Sequence, residues 1–153
     1  MKGFVIDQRI QRRLIDTLYV EAMLLADEAR GYFDQHGRAE RDALSPLERV
    51  SFSCESLKVT TRLMHIIAWL LTQRAVDAGE LNRRDAIDPS RRLGPAPISD
   101  AAGMLAMPQV AQALIAASTD LYRRVALLDA SQVGKVQSHS PARLLHDRLA
   151  IAF

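Results

Sequence analysis

Between Ser45-Pro46 and Gly79 the chain runs from Leu47 to Ala78 without a glycine or a proline. Ser45-Pro46-Leu47-Glu48 carries a helix start signal: a hydroxyl at the N-cap, proline at the first helical position, and glutamate three residues after the serine. Gly79 stands where a C′ glycine would end that helix. Inside the stretch, apolar or small residues recur at Val50, Cys54, Leu57, Thr61, Met64, Ala68, Leu71 and Ala75. Steps alternating between three and four predict a helix over about 46–78 with this stripe on its core. At ~1.5 Å per residue it is roughly 50 Å long, which restricts the chain to elongated helical architectures.

The flanking segments repeat the step. Ile15, Leu18, Ala22, Leu25, Ala29 and Tyr32 predict a helix over about 8–36, and Val110, Leu114, Ala117, Leu121, Val125 and Leu128 one over about 108–131, opened by Pro108. Pro89, Gly94, Pro95, Pro97 and Gly103 mark 79–107 as a linker. Ser140-Pro141 repeats the cap-plus-proline signal for a short helix over 141–152. No alternating Val/Ile/Thr run is bounded by hairpin turns. The chain of 153 residues is the size of one domain. The expected fold is all-α: an antiparallel three-helix bundle of long helices plus a short C-terminal helix.

Composition narrows the function. The single cysteine, Cys54, gives no internal disulfide, and its place on the stripe predicts a buried, inert thiol. Twenty basic against eighteen acidic residues, spread without a basic block, disfavour a nucleic-acid partner. Aromatic residues are 5% of the chain, too few for base-stacking platforms. The longest apolar run near the middle, Ile66-Ile67-Ala68-Trp69-Leu70-Leu71, is far short of the ~20 residues a membrane helix needs. The N-terminus, broken by Lys2, Asp7 and Arg9, lacks a signal-peptide core, so the expected location is the cytoplasm.

Around that apolar run the second helix is hydrophobic on nearly every side. Either the 79–107 segment folds over it or a second copy covers it; the second copy is preferred, with Ile66, Ile67, Trp69 and Leu70 as dimer candidates. Glu55, Lys58, Arg62, His65 and Trp69 form a polar stripe that reads either as a partner-docking face or as an ion-paired seam against the first helix. A turn near Arg41 sets Glu21 opposite Arg62 and Asp27 opposite Lys58, predicting the pairs Glu21–Arg62 and Asp27–Lys58. Arg83, Arg84, Arg91 and Arg92 are candidates for an arginine clamp on an acidic partner, against the plainer reading of a solvated loop. Leu145 and Leu149 either close a lid on the bundle or face a partner groove.

Catalytic signatures are lacking. His36, His65, His139 and His146 show no metal spacing. Glu21 and Glu28 share a face but have no evident pocket-forming partner. There is no Gly-rich phosphate loop and no nucleophile elbow, so neither enzyme activity nor a cofactor is expected.

Two blocks are more specific than a generic bundle requires. Tyr19-Val20-Glu21-Ala22-Met23-Leu24-Leu25-Ala26-Asp27-Glu28-Ala29-Arg30 is one; the other runs from Phe52-Ser53-Cys54-Glu55-Ser56-Leu57-Lys58-Val59-Thr60-Thr61-Arg62-Leu63-Met64-His65 through Ala68-Trp69-Leu70-Leu71 to Gln73-Arg74-Ala75. Both resemble the RcdA family, regulators of CtrA degradation in alphaproteobacteria. The resemblance implies a dimeric, non-enzymatic adaptor that helps bring cell-cycle regulators to the ClpXP protease through a priming factor, at a cell pole. It also implies a flexible C-terminal tail, whereas Leu144, Leu145, Leu149 and Ile151 here keep helical spacing. The alternative reading is a dimeric DNA-associated regulator, supported by a pI near 9.0 and opposed by the lack of a helix-turn-helix pattern.

Overall fold

The computed structural model of the chain describes residues 2–138 and 141–152. Among these it contains helices and connections and no strand. Helix α1 (Lys2–Gly31) passes through a π turn (Tyr32–His36) into the short α2 (Arg38–Asp42), followed by α3 (Pro46–Asp77). Next come α4 (Arg83–Ala86), a 3-10 turn (Pro89–Arg91) and α5 (Ala101–Leu105), then α6 (Gln109–Ser138) and α7 (Pro141–Ala152). His139 and Ser140, and the side chain of Leu144, lie outside the described residues. No helix among the described residues is long and apolar enough to cross a membrane.

The punctuation acts through hydrogen bonds. Ser45 Oγ accepts from the Glu48 N–H at 3.3 Å, satisfying a donor that the first turn leaves unpaired. At the other end Gly79 takes φ +76°, and the N–H groups of Gly79 and Glu80 reach back to the Val76 and Ala75 carbonyls at 3.0 and 2.9 Å. This is a Schellman closure, which needs the left-handed residue that glycine supplies.

Helices α1, α3 and α6 enclose one core. Ile15, Leu18, Ala22 and Ala29 meet Phe52, Val59, Leu63, Ile66 and Leu70, and Leu114, Ile115, Leu121 and Val125 complete the contact. At the end nearest the first turn, the rings of Tyr32, Phe33 and Phe52 lie 5.1 to 6.1 Å apart in edge and tilted arrangements. Arg74 of α3 bridges to Asp16 of α1 at 3.6 Å, so these two helices run antiparallel. Arg62 meets Ser118 and Trp69 meets Asp129, so α3 and α6 run in the same direction. A parallel pair needs a crossover as long as the bundle, and the chain between α3 and α6 is that crossover.

Two findings correct the sequence reading. The stripe assigned to the core of the second helix points outward: Val50, Leu57, Met64 and Leu71 are exposed, and so is Cys54. The buried face is the opposite one, Phe52, Glu55, Val59, Arg62, Leu63, Ile66, Trp69, Leu70 and Gln73. Both faces have three-four spacing, and the one with the aromatic and large branched side chains turns inward because it removes more apolar area from water. The second correction concerns the apolar excess. Ile66, Trp69 and Leu70 are buried within the single chain and Ile67 packs at the edge of its core, so these residues cannot be the dimer surface. In α6 the core face is also rotated: Ala111, Ile115 and Ser118 are buried, and Val110 and Ala117 are exposed.

Gly37 and Gly134 provide a matched test of packing. A Cβ on Gly37 would lie 2.8 Å from the Tyr32 carbonyl oxygen and 2.9 Å from its ring, whereas one on Gly134 meets nothing within 4 Å. Gly37→Ala should destabilise by about 1–3 kcal/mol. Gly134→Ala, inside α6, should stabilise by up to about 1 kcal/mol. Urea midpoints moving in opposite directions would verify the pair.

Candidate functional site

The crossover returns along the α3–α6 groove as an extended strap over residues 92–99, and the polar stripe of α3 holds it there. Arg62 is 1% exposed. Its Nε donates to the Pro97 carbonyl at 3.3 Å, Nη1 to Ser118 Oγ at 3.1 Å and Nη2 to Ser99 Oγ at 2.6 Å. Ser99 Oγ donates in turn to Glu55 Oε2 at 2.5 Å, and Lys58 Nζ bonds Glu55 Oε1 at 3.1 Å. One turn on, the His65 ring Nδ1 lies 2.8 Å from the Pro95 carbonyl oxygen, an acceptor, so Nδ1 carries the proton. Tyr122 of α6 donates to the Gly94 carbonyl at 2.6 Å. A Cβ on Gly94 would sit 2.7 Å from the His65 ring, so only glycine allows the strap this close.

Farther along, Arg92 forks onto Asp129, with Nη2 to Oδ2 at 2.8 Å, and the Trp69 indole N–H donates to Asp129 Oδ1 at 3.0 Å. Burial lowers the pKa of Arg62 and the nearby Glu55 charge opposes that shift. The hydrogen bonds that Arg92 donates to Asp129 raise its pKa. A charge can be held this deep only because its donors and its counter-charge are met within the same network.

The stripe is therefore a seam, but one closed by the strap and α6. The expected pairs with the first helix do not form. Glu21 is bonded by Arg124 of α6 through both guanidinium nitrogens, Asp27 is exposed on α1, and Lys58 pairs within its own helix to Glu55. The register placed the stripe against α1, whereas the helix is rotated so that its apolar face fills that contact. Arg62 and Trp69 are enclosed by their own chain and have no surface to offer a partner. Lys58 and His65 sit half-buried at the rim.

The arginines of the crossover separate. Arg92 is fixed on Asp129, Arg91 reaches the Asp85 carbonyl at 3.4 Å, Arg83 is engaged within the chain, and Arg84 is exposed. They form no single clamp. Among the described residues no group of three or more His, Cys, Asp or Glu side chains could hold a metal. Asp129, Ser99, Ser118 and Tyr122 were not marked in the sequence; the signal for them was a buried-face arginine with no acidic residue at i±4, which requires partners from elsewhere.

Exposed apolar side chains lie on α1 (Ile10, Leu14, Val20, Met23 and Leu24), on α3 and on α7. The outward stripe of α3, from Leu47 through Val50, Cys54, Leu57, Thr61, Met64, Ala68 and Leu71 to Ala75, contains no charged residue. Its five largest apolar side chains are 48–77% exposed, over a length of ~42 Å. On helix α7, Leu145, Leu149 and Ile151 are exposed, as are the other side chains described there.

The seam makes a stability prediction. Arg62→Leu leaves Glu55 and the strap carbonyl with fewer partners and should cost about 3–5 kcal/mol. It should also open residues 92–100 to proteolysis and amide exchange before the bundle unfolds. Arg84→Ala on the exposed α4 should stay within about 0.5 kcal/mol of the parent protein.

Comparison with known proteins agrees with this architecture. The family model described as protein of unknown function (DUF1465) matches residues 6–153. No curated protein matches the chain. Among solved structures, the crystal structure of RcdA from Caulobacter crescentus CB15 superposes with a TM-score of 0.64 at 32% identity, covering 78% of this chain and 90% of that one. A sequence match over nearly the whole length, together with a shared fold at this identity, places the chain in the DUF1465 family alongside RcdA.

Proposed function

We propose that the protein is a non-enzymatic, cytoplasmic adaptor that assists regulated degradation of cell-cycle regulators by ClpXP, recruited through a priming factor and concentrated at a cell pole. The observation that carries this reading is the kinship with RcdA over most of both chains. The surface supports it. Polar side chains of the seam are spent on holding the chain together, and what faces solvent is apolar binding area of the kind that takes a protein partner.

The outward stripe of α3 is the dimer surface in this reading. Its heptad spacing and absence of charge suit an α3 helix from a second copy, seam against seam, in the way coiled-coil positions pair. The earlier dimer candidates are replaced by Leu57, Met64 and their neighbours. Helix α7 is the segment offered outward, with Leu145 and Leu149 one turn apart as anchors for a groove on cargo or protease. Lys58 and His65 border the α3 stripe as polar rim, and Arg84 stands exposed on α4 as a further polar contact for a partner.

Two experiments test the assignment. In a reconstituted reaction with ClpX, ClpP, a priming factor and a regulator cargo, the chain should raise turnover several-fold. Removal of residues 142–153 should abolish the stimulation while helix content stays that of the remaining bundle. Turnover indifferent to the protein would sink the adaptor reading. Separately, Leu57→Glu with Met64→Glu should convert a dimer to a monomer in light scattering without loss of helix. A dimer that survives both charges would move the interface elsewhere.

A further inference from the structure

At the end of the bundle where α1 begins and α3 and α6 end, the chain forms a partly open cavity of about 320 Å³ that neither the seam nor the adaptor reading uses. Its lining differs from every other surface of the molecule. Arg12, Arg83 and Lys135 reach it from α1, α4 and α6, against one carboxylate, Asp77. Between them stand the carboxamides of Gln8, Gln11, Gln73 and Gln132. The cavity continues into a neighbouring depression of about 640 Å³ that reaches Arg84 and a second carboxylate, Asp7.

Gln73 distinguishes this cavity from a surface dent. It lies on the buried face of α3, 5% exposed, and takes no hydrogen-bond partner among the described residues. A carboxamide at that depth ordinarily has its donors and acceptor met, because leaving them unmet is costly. Here what remains accessible of it faces the cavity. Burial and the nearby Asp16 charge push the Asp77 carboxyl above its ordinary value while Arg12 and Arg83 draw it down, so this acid is already engaged by two of the cations. Arg12 also donates to the Asp77 carbonyl oxygen at 3.5 Å, and Arg83 and Lys135 have contacts within the chain, so the cationic groups are held at the rim.

We propose that this cavity is a binding site for a nucleoside monophosphate. Arginine and lysine suit the phosphate, and a guanidinium plane can also stack on a base. Carboxamides present a donor and an acceptor side by side, which is how glutamine and asparagine read the edge of a base. Val76 and Val136 give the apolar walls that a base needs, and the volume falls in the range of small-ligand sites. The site is independent of the adaptor reading, since it is built entirely within one chain.

The test uses the isolated full-length protein and four probes by calorimetry at low salt: inorganic phosphate, adenosine, AMP and GMP. One of the nucleotides should bind at least about tenfold more tightly than phosphate or adenosine alone, which is what simultaneous use of both halves of the site requires. Gln73→Leu should weaken that nucleotide about tenfold or more, and Lys135→Gln should weaken it while steepening nothing else in the urea melt. Should Gln73→Leu fail to fold, Lys135→Gln decides, because it sits at the rim. Binding that survives either folded variant unchanged, phosphate matching the nucleotides, or no heat from any probe at millimolar concentration would overturn the assignment.

Discussion

A guanidinium that water cannot reach determines how the rest of this chain is arranged. Arg62 sits in the middle of the longest helix on the same face as Val59, Leu63 and Ile66, and it is as buried as they are. Burying that charge is tolerable only if its fork of donors and its counter-charge are met locally. Helix α3 offers Glu55, α6 offers Ser118, and the remaining acceptors must come from a third element; the strap brings Pro97 and Ser99 to them. The strap must therefore run down the groove, which in turn requires α3 and α6 to be parallel and the connection between them to be long. His65, Tyr122 and the Arg92–Asp129–Trp69 set repeat the same logic at successive positions along the strap, each meeting a backbone carbonyl or a charge.

Helix positions were legible in the sequence because caps and breakers act within a few residues: Ser45, Pro46 and Gly79 specify their ends by hydrogen bonds and a dihedral angle. The α1 core face was legible too: Ile15, Leu18, Ala22 and Ala29 are buried as the spacing predicts, although Ile10, Leu14, Val20 and Leu24 form a second apolar line that stays exposed. Helix α3 has two stripes half a turn apart, and spacing alone cannot choose between them. The choice comes from the strap, which turns Glu55 and Arg62 from apparent surface residues into interior ones. A pairing register drawn from the wrong face then misplaced both expected ion pairs, and Glu21 found its cation on α6 instead. The family resemblance was legible because it lies in α1 and α3, the two helices that pack most extensively on each other, and its α3 block holds the seam residues Glu55, Lys58, Arg62, His65 and Trp69.

The same rotation explains why apolar side chains remain outside. Once the larger residues of α3 face inward, the smaller stripe of Val50, Leu57, Met64 and Leu71 is left on the solvent side with no charge to keep it soluble. A monomer gains nothing from a charge-free stripe about 42 Å long, whereas a second copy of the same helix supplies a matching surface. Polar satisfaction inside and an apolar face outside are thus two consequences of one helix orientation. Destabilising the seam would free the strap, but it would not by itself remove the outer stripe, so the two faces of α3 can be altered separately.

The amide-lined cavity occupies the end of the molecule that the seam leaves open. The crossover begins there, at α4, before Arg92 docks on Asp129 at the start of the strap. A ligand held between Arg12, Gln73, Arg83 and Lys135 would touch α1, α3, α4 and α6 at once. Its binding free energy would add to the stability of the end where the long helices are otherwise joined by few side-chain bonds. Through α4 it would also bias how firmly the strap is seated, since the crossover is anchored between that end and Ser99. Such coupling needs no movement of the core: Arg62 fixes the far end of the strap at Pro97 and Ser99, Arg92 fixes its start on Asp129, and only the segment from α4 to Arg92 is left to be set by what the cavity contains.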